Sequence, residues 1–166
     1  GNLGDSYIGL KFLKKKIKIN KRLGNYFKKK YYYTELNIKF ALKLLSLANT
    51  SIDVSDGLFT DLDKLINKQK LSYRLYLKDV PISDNLKKLI DLKLIKKINC
   101  ISKGDDYQIL FTAKPSKSNI IKKIGKTLGV KISKIGKICS PSHTSEIIDG
   151  KKAKITPKNK GYYHSF

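Results

Sequence analysis

The feature that most constrains the fold of this chain is the way its apolar residues change period. Across residues 36–47 they fall at Leu36, Phe40, Leu44 and Leu47, with Leu42 and Leu45 widening the stripe. That spacing predicts an amphipathic helix with Thr34 as its N-cap. Residues 51–57 then read as a short β-type stretch ending in an acidic turn. Leu58, Leu62, Leu65 and Ile66 return to helical spacing and predict a helix running to about Gln69. Next, Leu71, Tyr73, Leu75 and Leu77 alternate with Ser72, Arg74 and Tyr76, the period of a strand with one buried face. A helix is predicted after Pro81, capped by Ser83 or Asp84, with Leu86, Leu89, Ile90 and Leu94 on its stripe.

The alternation continues downstream. A polar turn over residues 102–106 leads into a strand at 107–112. A helix opened by Pro115 or Ser116 follows, with Ile120, Ile121, Ile124 and Leu128 inward and Gly129 near its end. Strands are predicted at 131–139 and 146–148, before the turn signal Asp149-Gly150. Helices alternating with strands imply an α/β (α+β) domain, a mixed sheet layered with helices. With 166 residues and 40% hydrophobic content the chain can fill one core, so residues 1–166 are expected to form a single domain. The lysine-rich stretch 14–33 is expected to be an exposed insertion or mobile loop, although Tyr26, Phe27 and Tyr31 to Tyr33 can tuck into the core or a partner.

Charge narrows the functional classes less than its size suggests. The net charge is +23, which points to nucleic acid or an anionic surface. Of the 36 basic residues, however, only Arg22 and Arg74 are arginine, the residue whose fork geometry phosphate and base recognition favours. The lysines are spread along the whole chain, so solvated lysine faces are the favoured reading and a nucleic-acid partner is not expected. The two cysteines, Cys100 and Cys139, are far apart and form no C-x-x-C pattern, so neither a zinc site nor a disulfide is expected. No run approaches the length of a membrane span and the first residues do not resemble a signal peptide, so a cytoplasmic protein is expected. The sequence contains no methionine and is expected to be a fragment of a longer chain.

Two acidic pairs sit at turn positions beside apolar strands: Asp53 with Asp56, and Asp105 with Asp106. Carboxylates projecting from strand ends into a cleft are what a hard cation requires, and magnesium uses one or two of them together with phosphates and water. Ser55 adds a hydroxyl, and the helix start near Leu58 offers N–H groups to phosphate oxygens. A second reading stands beside this one, in which Ser55 or Asp56 simply caps that helix.

The segment Ser-Ile-Asp-Val-Ser-Asp-Gly-Leu at 51–58 resembles the I-D-I-S-D-G-L segment of thiamine-monophosphate kinases, members of the aminoimidazole ribonucleotide synthetase superfamily. Three further segments agree with it, in order. Lys-Gly-Asp-Asp-Tyr-Gln-Ile-Leu-Phe-Thr at 103–112 is similar to the family's G-G-E/D-D-Y-E-L-L-F-T. Residues 1–10 resemble its G-x-x-G-D-x-x-x-G-L opening, and 161–166 its terminal G-aromatic-x-H-F.

The resemblance implies the carboxy-terminal domain of an enzyme that transfers the ATP γ-phosphoryl group to thiamine monophosphate, assisted by Mg²⁺. By position, Asp53 and Asp56 would bind magnesium, Ser55 would contact ATP, and Asp105 and Tyr162 would contact the thiamine substrate. It also implies a full-length homodimer whose first half, bearing a G-D-D-A segment and further magnesium ligands, is missing here, so that the fragment alone is not catalytically complete. Asp106 and Tyr107 carry no assigned role, since a buried Asp beside a turn equally serves to hold Gly104 and its neighbours in shape. The sequence departs from the family pattern at Lys103, Gln108 and Ser165. Half of a related selenophosphate or aminoimidazole ribonucleotide synthetase, a lysine-rich nucleic-acid-binding module and a non-catalytic remnant are the alternatives.

Overall fold

The computed structural model describes residues 1–66, 69–150, 153–157 and 161–162. In chain order its helices are α1 (Asp5–Leu13), α2 (Lys21–Tyr32), α3 (Ile38–Leu44), α4 (Leu58–Ile66), α5 (Asp84–Asp91), α6 (Lys97–Ile101) and α7 (Ser118–Thr127). Its strands are β1 (Ala48–Asp53), β2 (Ser72–Tyr76), β3 (Ile109–Ala113), β4 (Gly136–Cys139), β5 (Glu146–Asp149) and β6 (Ala153–Lys154). Among the described residues these strands form two sheets. β1 and β3 make an antiparallel ribbon, with Ile52 opposite Leu110 and Asp53 opposite Ile109. The other sheet has the order β4-β2-β5-β6, in which β2 pairs antiparallel with β4 but parallel with β5. Parallel pairing requires a long crossover, and the chain between β2 and β5 supplies one that includes β3 and α7. The architecture is thus a mixed α+β layering, as the period changes predict.

β3 is apolar on both faces, and each face has its own cover. Leu110 and Ile52 join Val54, Leu58, Phe59 and Leu62 of the α4 side in a cluster that extends to Tyr73, Leu75 and Ile147 of the larger sheet. Ile109 and Phe111 turn the other way and meet Phe40, Leu44 and Ile121 of α3 and α7, with the Phe40 and Phe111 rings 6.1 Å apart. A third cluster joins α1, α2, α5 and α6 through Ile8, Phe27, Leu86, Leu89 and Cys100.

That third cluster corrects the expectation for residues 14–33. Instead of a mobile loop, Lys21–Tyr32 is a helix whose N-cap, Asn20, accepts from the Leu23 N–H at 2.9 Å. Phe27 is wholly buried, a contribution on the order of 1.5–3 kcal/mol for a side chain of this size. Smaller corrections follow from burial and caps. α3 begins at Ile38 rather than after a Thr34 cap, and Leu36, Leu42 and Leu45 are exposed. Leu94 and Ile120, expected inward, are exposed too, and the strand expected at 131–139 is confined to Gly136–Cys139. Ser83, not Asp84, caps α5, accepting from the Leu86 N–H at 3.0 Å. Both cysteines are free thiols, and burial pushes the Cys100 pKa up to about 12. Among the described residues no helix is long and apolar enough to cross a membrane.

Candidate functional site

The ribbon does not stop where its regular pairing stops. Beyond Asp53 the Val54 N–H donates to the Gln108 carbonyl at 2.9 Å and the Tyr107 N–H to the Val54 carbonyl at 2.9 Å. One step further, the Asp105 N–H donates to the Ser55 carbonyl at 3.0 Å. The two acidic turns are therefore the two lips of one ribbon end. Glycine allows the lips to close: a side-chain carbon at Gly104 would overlap the Ser55 carbonyl, and one at Gly57 would strike the Ser102 carbonyl. Gly57 also has φ +120°, a conformation that L side chains rarely adopt. The tail closes the third side, where the Tyr162 N–H donates to the Asp56 carbonyl at 2.9 Å.

The side chains on this frame divide into three groups. Asp53 ends β1 and is exposed; Ser55 and Asp56 are half-buried in the turn. Tyr162, 64% exposed, is held beside them by its backbone, whereas residues 163–166 of the tail motif lie outside the described residues. Asp61 was missed by sequence reasoning. It sits fully buried one turn into α4, and its Oδ2 accepts from the N–H groups of Asp56 at 3.0 Å and Gly57 at 3.1 Å. Burial pushes its pKa up, while those two backbone donors pull it down. A carboxylate reaching back from the first helical turn to N–H groups ahead of the helix does half the work of a capping box, with no N-cap side chain to answer it because Gly57 precedes the helix. The N–H groups of Asp56 and Gly57, just ahead of α4, are thus satisfied by Asp61. The Asp56 carboxylate instead accepts from the Lys64 ammonium, one α4 turn beyond Asp61.

Asp105 and Asp106 point into different surroundings. Asp105 has φ +67° and Tyr107 φ +49°, so the backbone is left-handed on either side of Asp106. Asp105 is half-buried on the Asp56 side. Burial, and then the Asp56 charge, raise its pKa. Asp106 is buried and faces away, accepting from the Gly4 N–H at 2.7 Å and the Ser6 N–H at 3.4 Å at the start of α1. Burial raises its pKa to about 7. Its work is to anchor α1 rather than to shape Gly104.

The donor chemistry of the ribbon end fits a hard cation. Asp53, Ser55, Asp56 and Asp105 offer oxygen only, and the Oδ1 of Asp61 is buried without a hydrogen-bond partner. Among the described residues no three His, Cys, Asp or Glu side chains gather into a metal cage. Magnesium does not need one, since it takes a carboxylate or two and completes its shell with water and phosphate oxygens.

No protein-family model matches the chain. Among curated proteins it is similar to the thiamine-monophosphate kinase of Buchnera aphidicola subsp. Schizaphis graminum, with 36% identity over 169 residues, 99% of this chain and 50% of the relative. The chain thus spans about half the length of the curated relatives it matches. Its fold is similar to that of the Stenotrophomonas maltophilia K279a thiamine-monophosphate kinase, with TM-score 0.77 and 21% identity over 92% of this chain and 49% of that one. It is equally similar to AaThiL complexed with AMPPCP and TMP, with TM-score 0.76 and 22% identity over 98% and 49% of the two chains. With a sequence match running through nearly all of its residues and a fold shared over the same span, the chain belongs to the thiamine-monophosphate kinase family, matching the carboxy-terminal half of its members.

Proposed function

We propose that this chain contributes one half of the active site of an ATP- and Mg²⁺-dependent kinase that converts thiamine monophosphate to thiamine diphosphate. The observation that carries this reading is the closed ribbon end, where Ser55 and Asp56 are bonded through their carbonyls to Asp105 and Tyr162. The similarity to a structure complexed with AMPPCP and TMP supports the choice of nucleotide and acceptor. In the reaction the bond between the γ-phosphorus and its bridging oxygen breaks, a bond from phosphorus to a phosphate oxygen of thiamine monophosphate forms, and ADP leaves. Protein chemistry in such a transfer is mainly positioning and charge neutralisation. Asp53 and Asp56 would hold magnesium, which supplies positive charge between the phosphates, and Ser55 would donate its hydroxyl to the nucleotide. The Asp105 carboxylate would favour a cationic thiazolium ring, and the exposed ring of Tyr162 would offer a face for stacking. The amino-terminal half of the relatives would supply the remaining ligands and a homodimer interface, so the isolated chain is expected to show no more than trace turnover.

The test joins this chain to an amino-terminal half of the family and follows thiamine diphosphate formation. Asp53→Asn keeps nearly the same shape while removing a charge, and is expected to lower turnover by about 10²-fold, in line with loss of one electrostatic stabiliser. Excess magnesium should restore part of the loss. An Asp53→Asn enzyme that is destabilised yet fully active ends the metal-ligand assignment, and robust turnover by the isolated chain ends the claim that the other half is required.

A further inference from the structure

Lys64 is a side chain at the ribbon end that neither the sequence motifs nor the proposed reaction accounts for. It lies on α4, eight residues beyond Asp56, yet its ammonium ion-pairs with Asp56 Oδ2 and stands 3.5 Å from Asp61 Oδ1. The Lys64 side chain is 48% exposed and that of Asp56 only 13%, so the pair joins a solvent-reaching ammonium to a largely buried carboxylate. Asp61 is asymmetric. Its Oδ2 is committed to two backbone N–H groups, while its Oδ1 is buried and has no hydrogen-bond partner. One ammonium therefore stands between two carboxylates, bonded to the first and ion-paired at 3.5 Å with an oxygen of the second that has no hydrogen bond.

A carboxylate oxygen held by an ammonium is not open to a divalent ion, and two cations crowded on one oxygen repel. We propose that Lys64 is a built-in competitor for metal at Asp56, pairing with Asp56 in the metal-free chain and moving to Asp61 Oδ1 when a divalent ion takes its place. This rests on the reading of Asp56 as a metal ligand. The lysine has a purpose in the metal-free state. The Asp56 charge acts unfavourably on both Asp61 and Asp105, and an ammonium on Asp56 relieves that repulsion until metal arrives. The exchange is feasible because a partly exposed ion pair is weak. Apparent metal affinity is then reduced by the fraction of molecules in which Lys64 holds Asp56.

Mn²⁺ binding to the 166-residue chain, read by water-proton relaxation, tests this without any turnover. Lys64→Met keeps the aliphatic stem and removes the charge, and it should bind Mn²⁺ about fivefold more tightly than the wild-type chain, the gain expected when a weak competing pair is removed. Lys64→Gln should move the same way and Lys64→Arg should stay near wild type. The metal-free Lys64→Met chain should also melt below wild type and recover at saturating Mn²⁺. Lys123→Met, on the exposed side of α7, removes the same charge elsewhere and should change nothing. Equal or weaker affinity in both uncharged Lys64 variants, or an equal gain in Lys123→Met, overturns the exchange. If Asp56→Asn loses affinity while the Lys64 variants gain none, only the exchange falls. If Asp56→Asn binds Mn²⁺ as wild type does, the metal role of Asp56 falls with it.

Discussion

The loop at residues 102–107 joins two acidic regions built in opposite ways. At the ribbon end Asp53 is exposed and Ser55, Asp56 and Asp105 are half-buried, and backbone hydrogen bonds hold the frame. On the far side Asp5 and Asp106 are buried around the start of α1, where their carboxylates hold neighbouring elements together. Asp106 accepts from Gly4 and Ser6; Asp5 accepts from the Ser83 hydroxyl at 2.7 Å and the Tyr26 hydroxyl at 3.0 Å. Burial raises the pKa of both. The difference teaches that acidic clustering by itself does not mark a binding site. What separates the two regions is burial and the kind of partner: Asp5 and Asp106 are buried and hydrogen-bonded to neutral donors, whereas Asp53, Asp56 and Asp105 stand at an exposed or half-buried turn where Asp56 is ion-paired with Lys64.

The comparison breaks most readily at Asp106. Asp106→Ala leaves the Gly4 and Ser6 N–H groups buried without an acceptor, and should cost about 3 kcal/mol in chemical denaturation. A loss under about 1 kcal/mol, the scale of an ordinary surface change, would put Asp106 outside the anchor. Asp106 also predicts a pH signature. Its folded pKa, about 7, lies above the ordinary value of 3.8. The folded state therefore holds the proton more tightly, so the stability from this group is full below pH 3.8 and is lost as pH rises through about 7. Asp106→Asn, which cannot ionise, should show a flatter stability profile than wild type across that window. A steeper profile would reverse the sign of the argument.

Ser83 tests the same region at a smaller scale. Its hydroxyl oxygen caps α5 while its proton goes to Asp5. Ser83→Ala should cost about 2 kcal/mol, a cap plus a hydrogen bond to a buried acid. A cost no larger than that of removing an isolated cap would show that the bond to Asp5 contributes little.

How much of this was legible in the sequence depended on whether one segment carried its own signal. The helices after Gly57 and Ser83 and the strands around Tyr73 and Leu110 were readable because their apolar periods are local. The helix at Lys21–Tyr32 was not recognised, because nine of the twenty residues across 14–33 are lysine or arginine and hide its stripe. Leu23, Tyr26 and Phe27 do carry helical spacing. Leu94 and Ile120 were misplaced because period alone does not say where a stripe ends. At the site, the motifs pointed to Asp53, Ser55, Asp56 and Asp105. The roles of Asp61 and Lys64 depend on how α4 folds back over the turn, and no local pattern shows which carboxylate an ammonium eight residues away will reach.

The smallest expected change in stability is the most telling for the comparison, and it falls on Asp105. This residue has φ +67°, a left-handed conformation that asparagine accepts as readily as aspartate. Its N–H bond to Ser55 belongs to the backbone and survives substitution. Its carboxylate is disfavoured by burial and by Asp56, so removing the charge relieves a repulsion rather than breaking a pair. Asp105→Asn should therefore leave stability within about 0.5 kcal/mol of wild type or raise it slightly. In the reconstituted enzyme the same change should raise the KM for thiamine monophosphate about tenfold, the scale of a hydrogen bond or ion pair to a charged group. The two measurements together separate the regions: a residue of the α1 anchor would lose stability and leave KM alone. An Asp105→Asn protein destabilised by 2 kcal/mol or more, about the cost expected for Ser83→Ala, with unchanged KM, would place Asp105 with Asp106 and remove it from the site.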